Sequence, residues 1–234
     1  MKAVIMAGGF GTRLRPLTAH LPKPLVPVGN LPIMEHTVRL LRAHGFTDLL
    51  VLLYFLPEAI TSHFGDGSRW GVRMTYFTPP TDLGTAGAVR YAAEQLTDPF
   101  LVISGDILTD FDLGAVAAFH RDRKSLATMV LTRVESPLQY GIVITDETGR
   151  ITRFLEKPSW GEVFSDTINT GIYLLEPSVL ESIPPQRAYD FGKEFFPAQL
   201  AAGEPLYGHV AKGYWRDIGD LVEYRVAQLD LLQG

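Results

Sequence analysis

Strand-length apolar runs alternate with helical patterns through the first half of this chain, a rhythm that calls for an α/β fold with a mostly parallel sheet. Ala3–Ala7 reads as a buried strand, and Pro32 opens a helical pattern through Ile33, Val38, Leu40, Leu41 and Ala43 that Gly45 stops. Leu49–Leu53 reads as a strand, Pro57–Phe64 as a short helix and Val72–Phe77 as a strand. Thr85–Leu96 follows as a helix, Phe100–Ser104 as a strand, and Leu113–His120 as a helix that Asp112 can cap. After Ser125 the pattern changes to short-turn strands at Leu126–Thr132, Tyr140–Ile144, Ile151–Leu155 and Ile168–Leu174. Helical signal returns within Phe191–Ala202, Tyr207–Ala211 and Gly213–Arg216 look extended, and Leu221–Leu232 closes as a helix. No Gly-, Ser- or Pro-rich linker intervenes, so residues 1–124 and 125–234 are expected to be halves of one domain sharing one sheet and core.

Composition narrows the partners. A formal charge of −5 over 234 residues supplies no basic surface that could track a nucleic-acid backbone, although a local positive pocket is still open to a small anion. With no cysteine, disulfides, thiolate metal sites and cysteine nucleophiles are excluded. Met1-Lys2 leads into a strand rather than a signal-peptide core, and the apolar run Leu49 to Leu56 is too short to span a bilayer. The expectation is a cytoplasmic chain with no membrane partner.

The first strand runs straight into Ala7-Gly8-Gly9-Phe10-Gly11-Thr12-Arg13, and Pro22-Lys23-Pro24 follows. Three glycines let backbone amides approach an anion, Arg13 can fork onto phosphate oxygens, and Lys23 adds a compact charge between restricted neighbours. A Walker loop would place Lys-Ser/Thr after the glycines, and a dinucleotide fingerprint would open an uninterrupted helix; Thr12-Arg13 and Pro16 fit neither. Asp82-Leu83-Gly84-Thr85-Ala86-Gly87 is a second glycine segment, in which Gly84 lets a base lie near the backbone and Thr85 begins a helix with free amides. Ser104-Gly105-Asp106 puts an acid at the carboxyl end of an apolar strand, where Asp106 can hold Mg²⁺ against phosphates. Asp217, in Trp215-Arg216-Asp217-Ile218-Gly219, is a candidate second oxygen ligand; Asp110 and Asp112 have turn or capping roles. Glu156-Lys157-Pro158 and Asn169-Thr170-Gly171 offer an acid and an amide for sugar hydroxyls and a lysine for the sugar's phosphate. The six histidines have no metal-ligand spacing, and Ser104 lacks a nucleophile elbow.

Taken with Leu14-Arg15-Pro16-Leu17-Thr18 and Phe154-Leu155, these motifs, in this order and over essentially the whole chain, resemble the sugar-1-phosphate nucleotidyltransferase family. They are most similar to its mannose-1-phosphate guanylyltransferase group, as in the N-terminal portion of bacterial proteins that continue into a phosphomannomutase-like domain. The resemblance implies a Rossmann-like nucleotidyltransferase fold, with a mostly parallel central mixed sheet, helices on both faces and an added antiparallel sugar-binding region. It also implies Mg²⁺-dependent condensation of a nucleoside triphosphate, GTP favoured, with a sugar 1-phosphate, mannose 1-phosphate favoured. By that resemblance Arg13 and Lys23 bind triphosphate, with Ala7, Gly8, Gly9, Gly11, Thr12, Leu83, Gly84, Thr85 and Asp106 in the nucleotide site. Asp106 and Asp217 carry the metal, and Gly141, Glu156, Lys157, Asn169 and Thr170 hold the sugar phosphate. The nucleotide role falls mainly to residues 1–124 and the sugar-phosphate role mainly to 125–234. Longer members continue into a left-handed β-helix that builds oligomers, and none follows Leu232 here. The expectation is either a piece of a longer multidomain protein or a short member that forms homo-oligomers by other means. Arg216 and Ile218 stand where several thymidylyl- and uridylyltransferases have leucine and threonine, which favours the mannose branch. A glucose-1-phosphate uridylyl- or thymidylyltransferase is the alternative within the class, and a non-catalytic nucleotide-sugar-binding subunit the alternative outside it.

Overall fold

Buried β-branched and leucine side chains fix the first elements of the computed structural model, which describes residues 1–233. In chain order the elements begin with β1 (Lys2–Ala7), β2 (Pro27–Val28), β3 (Leu31–Pro32), α1 (Ile33–Ala43), β4 (Asp48–Leu53), α2 (Pro57–Phe64) and β5 (Arg73–Phe77). Next come α3 (Gly84–Tyr91), β6 (Phe100–Ser104), β7 (Ile107–Thr109), α4 (Leu113–Arg123), β8 (Ala127–Arg133), β9 (Gly141–Thr145) and β10 (Ile151–Glu156). The chain then forms β11 (Thr167–Leu175), α5 (Phe196–Ala201), β12 (Leu206–Val210), β13 (Trp215–Asp217) and α6 (Leu221–Gln233). The expected α/β class with a mixed sheet and helices is what the chain adopts. No helix of the described residues is long and apolar enough to cross a membrane.

Two units divide the chain, and neither is a contiguous half. One comprises Met1–Thr81, Ile103–Phe111 and Gly213–Gly234; the other comprises Asp82–Val102 and Asp112–Lys212. Neither unit therefore begins or ends at residue 124. The physical reason is β13, which pairs antiparallel with β7 and so returns the last segment to the first unit. In that unit β1, β4 and β5 are parallel neighbours, with Val4 opposite Leu50 and Leu50 opposite Thr75. Ala3, Val4 and Ile5 are fully buried, as strands covered on both faces require.

Beneath the charged loops of the first unit lies an apolar cluster of Leu14, Val26, Val28, Ile33, Leu108, Ile218 and Ala227. Leu14 and Ile218 are the immediate sequence neighbours of Arg13 and Asp217. Burying such side chains stabilises by roughly 1.5–3 kcal/mol each, so the polar residues beside them are held on a packed floor. Helix α6 is capped by Asp220, whose Oδ1 accepts from Val222 N at 2.9 Å and Glu223 N at 3.0 Å. Arg216 ties that helix to β13, its Nε donating to Asp230 Oδ2 at 3.0 Å and its Nη1 to Glu223.

In the second unit β9 pairs antiparallel with β10 and β11, β11 pairs antiparallel with β8, and β12 joins β8 in parallel. Asp112 caps α4 as expected, accepting from Ala115 N at 3.0 Å. Helix α3 stops at Tyr91 rather than Leu96, because Ala92 leaves the helix and a 3₁₀ turn, Ala93–Gln95, takes over.

His120 of α4 is fully buried beside the Thr128 hydroxyl, 2.8 Å from Nδ1, and the Glu176 carboxylate, 3.2 Å from Nε2. Burial depresses its pKa below the ordinary 6.5, against the raising influence of Glu176. Above 6.5 the imidazole is neutral folded or unfolded, whereas below it the unfolded chain binds the proton first. Folding stability is therefore expected to fall as pH drops from 6.5 towards the depressed value. Urea unfolding of the wild type and His120→Gln at stepped pH checks this, since the slope in that window should shrink in the variant.

Candidate active site

The first unit holds Ala7, Gly8, Gly9, Gly11 and Thr12 of the glycine loop together with the charged residues Arg13, Lys23, Asp106 and Asp217. Gly11 adopts the left-handed conformation at φ +61°, and a Cβ there would meet Lys23 Cβ and Thr18 Cγ2, both at 3.0 Å. Thr18 Oγ1 donates to Gly11 O at 2.7 Å, closing the loop on itself. The glycine loop thereby seats Lys23, which is 7% exposed and donates from Nζ to Asp106 Oδ2 at 2.6 Å. Gly9 has open space where a side chain would stand, while a Cβ on Gly8 would lie 3.1 Å from Tyr54 Cβ. Ala7 is buried at the end of β1, and Thr12 opens the 3₁₀ turn Thr12–Leu14, in which Thr12 and Arg13 are exposed and Leu14 is buried.

Asp106 sits between β6 and β7, where Gly105 permits the turn: its N donates to Met6 O at 2.9 Å, and a Cβ would crowd that oxygen at 3.0 Å. Asp217 ends β13 opposite Ile107, and Ile218 N donates to Asp106 O at 3.1 Å. The strand pair thus brings two carboxylates together across 111 positions of sequence. Burial, then the Asp106 charge, push Asp217 up to about 6 against the opposing pull of Lys23 and Arg13. A Cβ on Gly219 would lie 3.2 Å from Asp217 Oδ2 and 3.3 Å from Arg13 Nη2, so guanidinium and carboxylate flank one glycine. Among the described residues no group of three or more His, Cys, Asp or Glu forms a complete metal cage. Two neighbouring carboxylates suit a hard cation that takes its other oxygens from water and a phosphate ligand.

The second unit holds Leu83, Gly84, Thr85, Gly141, Glu156, Lys157, Asn169 and Thr170. Glu156 ends β10 opposite Gly141, and its Oε2 would be only 2.6 Å from a Cβ built on Gly141 or on Gly192. Two missing side chains therefore make the slot in which this carboxyl lies. Burial raises its pKa, as does the nearby Asp190 charge, with Lys157 and Lys193 opposing. Lys157 is exposed at φ +47°, its N donating to Tyr140 O at 3.1 Å. Asn169 lies at an irregularity of β11, donating from Nδ2 to Tyr173 OH at 2.9 Å and accepting from Gly171 N at 3.0 Å. Thr170 faces the interior instead, 2% exposed with its hydroxyl donating to Val130 O at 2.8 Å.

Leu83 is buried, and Gly84 rather than Thr85 begins α3. A Cβ on Gly84 would lie 2.9 Å from Tyr189 O, so the glycine is required by the chain's own loop. The Thr85 hydroxyl donates to Asp190 Oδ2 at 3.0 Å and accepts from Phe191 N at 2.8 Å. Asp190, Gly192 and Tyr173 were not singled out in the sequence. The one local signal for Asp190 and Gly192 is the turn-prone composition of Tyr189-Asp190-Phe191-Gly192, which does not set Asp190 apart from a turn aspartate.

Comparisons with known proteins bear on the family and the fold. The sequence model of the nucleotidyl transferase family matches residues 2–234. The chain is 40% identical over 96% of its length to a UTP–glucose-1-phosphate uridylyltransferase of Synechocystis. It is 38% identical over 99% of its length to a mannose-1-phosphate guanylyltransferase of Mycobacterium tuberculosis. It spans 61% and 65% of those two proteins, less than two thirds of each. A Bacillus anthracis structure assigned as a glucose-1-phosphate thymidylyltransferase, solved with sucrose, superposes with a TM-score of 0.89. Its sequence identity is 28%, over 98% of this chain and 94% of that one. The chain belongs to the nucleotidyl transferase family.

Proposed function

We propose that this chain condenses GTP with mannose 1-phosphate to give GDP-mannose and pyrophosphate. The observation that carries the reading is the cluster of Asp106, Asp217, Lys23 and Arg13, in which paired carboxylates and cations are fixed on one apolar floor. Such a set neutralises and positions polyphosphate, which is what a direct in-line displacement requires. The sugar-phosphate oxygen attacks the α-phosphorus in line, a new P–O bond forms, and the bond to the bridging oxygen of the β-phosphate breaks. The attacking phosphate is already largely anionic near neutral pH, so no proton needs to be removed.

Arg13 and Lys23 neutralise the triphosphate side, and Lys157 orients the incoming phosphate. The Leu83–Thr85 segment lies against the base, while Glu156 and Asn169 read sugar hydroxyls. When bound, Mg²⁺ would be held by Asp106 and Asp217 and would offset phosphate charge. Mannose and guanine are favoured by the likeness to the mycobacterial protein. The likeness to the Synechocystis protein supports a second reading, with UTP and glucose 1-phosphate. A cytoplasmic location and assembly into homo-oligomers belong to the same proposal.

Pyrophosphate release measured with GTP, UTP, dTTP and ATP, each against mannose and glucose 1-phosphates, tests it. GTP with mannose 1-phosphate should give the highest kcat/KM. A higher value for UTP or dTTP with glucose 1-phosphate would replace it with the second reading. Tight nucleotide-sugar binding without turnover of any pair would leave a binding subunit.

A further inference from the structure

We propose that Asp190 is a positioning residue that sets the Leu83–Gly87 segment and the Glu156 slot together, so that nucleotide and sugar-phosphate binding are coupled through one loop. The inference rests on the proposed function, which assigns those two features to the two substrates.

The loop preceding α5 is fastened to the start of α3 from both sides. Tyr189 N donates to Leu83 O at 3.0 Å, and Gly87 N donates to Tyr189 O at 3.0 Å. Gly84 and Gly87 admit this approach because neither has a side chain: a Cβ would lie 2.9 Å from Tyr189 O at one and 2.6 Å from Arg187 O at the other. Asp190 then divides its carboxylate between two tasks. Oδ2 accepts from the Thr85 hydroxyl at 3.0 Å, while Oδ1 accepts from Gly192 N at 2.9 Å and Lys193 N at 3.1 Å. The second task caps the π turn Phe191–Phe195, and Phe191 N closes the ring by donating to Thr85 Oγ1 at 2.8 Å.

Gly192, held by that cap, is one wall of the Glu156 slot, since a Cβ there would come 2.6 Å from Oε2 and 2.9 Å from Cδ. One carboxylate therefore fixes Thr85 with one oxygen and the backbone against Glu156 with the other. Thr85 has little freedom left to seek a ligand itself, because its hydroxyl already donates to Asp190 and accepts from Phe191. Its part is to hold the backbone of Leu83–Gly87 in place. Displacing Asp190 should loosen the nucleotide segment and the sugar slot at once.

The test is steady-state kinetics of Asp190→Ala, Asp190→Asn, Thr85→Val and the Asp190→Ala/Thr85→Val double variant, with Tm recorded for each. Asp190→Ala should raise KM for both substrates by about 5–20-fold, with kcat changed less than about threefold. Asparagine keeps an accepting oxygen for Gly192 and Lys193 and can donate to Thr85, so Asp190→Asn should recover both KM values to within about threefold. The double variant should raise nucleotide KM no further than Asp190→Ala alone, as a shared interaction requires. A lower Tm with both KM values unchanged would make Asp190 a helix cap and nothing more. A rise in only one KM would break the coupling. Should Asp190→Ala fail to fold, Thr85→Val decides, because loss of its hydroxyl should raise sugar-phosphate KM as well as nucleotide KM. An inactive wild type across all substrate pairs would refute the functional reading instead.

Discussion

Asp106→Asn is expected to lower kcat about 10²–10³-fold while leaving KM for the sugar phosphate within about threefold, the signature of charge stabilisation made only in the transition state. The substitution removes one of the two carboxylates proposed to hold Mg²⁺ and leaves the buried ammonium of Lys23 without a charged partner. It also removes the repulsion that helps push Asp217 up to about 6, so the remaining carboxylate should ionise more readily. Added Mg²⁺ should restore only part of the rate. Asparagine preserves the shape of the turn, so Tm should change little compared with Asp106→Ala. The check is pyrophosphate release across a Mg²⁺ titration. Near-wild-type, metal-dependent turnover in Asp106→Asn would remove Asp106 from the proposed machinery.

Gly141→Ala should produce the opposite kinetic pattern. A Cβ at this position would stand 2.6 Å from Glu156 Oε2 and 2.8 Å from the Phe154 ring, inside van der Waals contact with both. Phe154 is hemmed by Phe196, with ring centroids 6.0 Å apart, so the carboxylate gives way more easily than the ring. Moving it out of the slot removes the acceptor proposed for sugar hydroxyls. KM for the sugar phosphate should rise about 10–100-fold, as for an unpaired polar group in a binding site, with nucleotide KM little changed. Isothermal titration with each ligand separates the two effects. Equal loss of both affinities would mean that the substitution disturbs β9 as a whole rather than one slot.

Local chemistry made most of the fold legible and much of the site. Pro57–Phe64 and Phe100–Ser104 have the bounds read from sequence, because proline, apolar runs and flanking turn residues mark both ends. Strand β7 was missed because three residues after Gly105-Asp106 look like the tail of a turn until β13 arrives to pair with them. The same long-range pairing places Gly213–Gly234 with the first unit, which no local signal announces. Asp106 and Asp217 were each readable beside glycine and an apolar neighbour, yet their nearness comes only from that strand pair. Thr170 lay in a promising Asn-Thr-Gly motif, but β-strand alternation turns it inward, where Val130 O satisfies its hydroxyl. Asp190 was invisible for another reason: its partner Thr85 is 105 residues away, and nothing local distinguishes it from a turn aspartate.

Nucleotidyl transfer is tested most directly by following GTP labelled separately at the α- and γ-phosphorus during reaction with mannose 1-phosphate. Attack at the α-phosphorus predicts that α-label appears in the nucleotide sugar and γ-label in pyrophosphate, both dependent on Mg²⁺ and both slowed to the same degree in Asp106→Asn. Transfer of γ-label to the sugar, or release of γ-label as inorganic phosphate without any labelled nucleotide sugar, would contradict it.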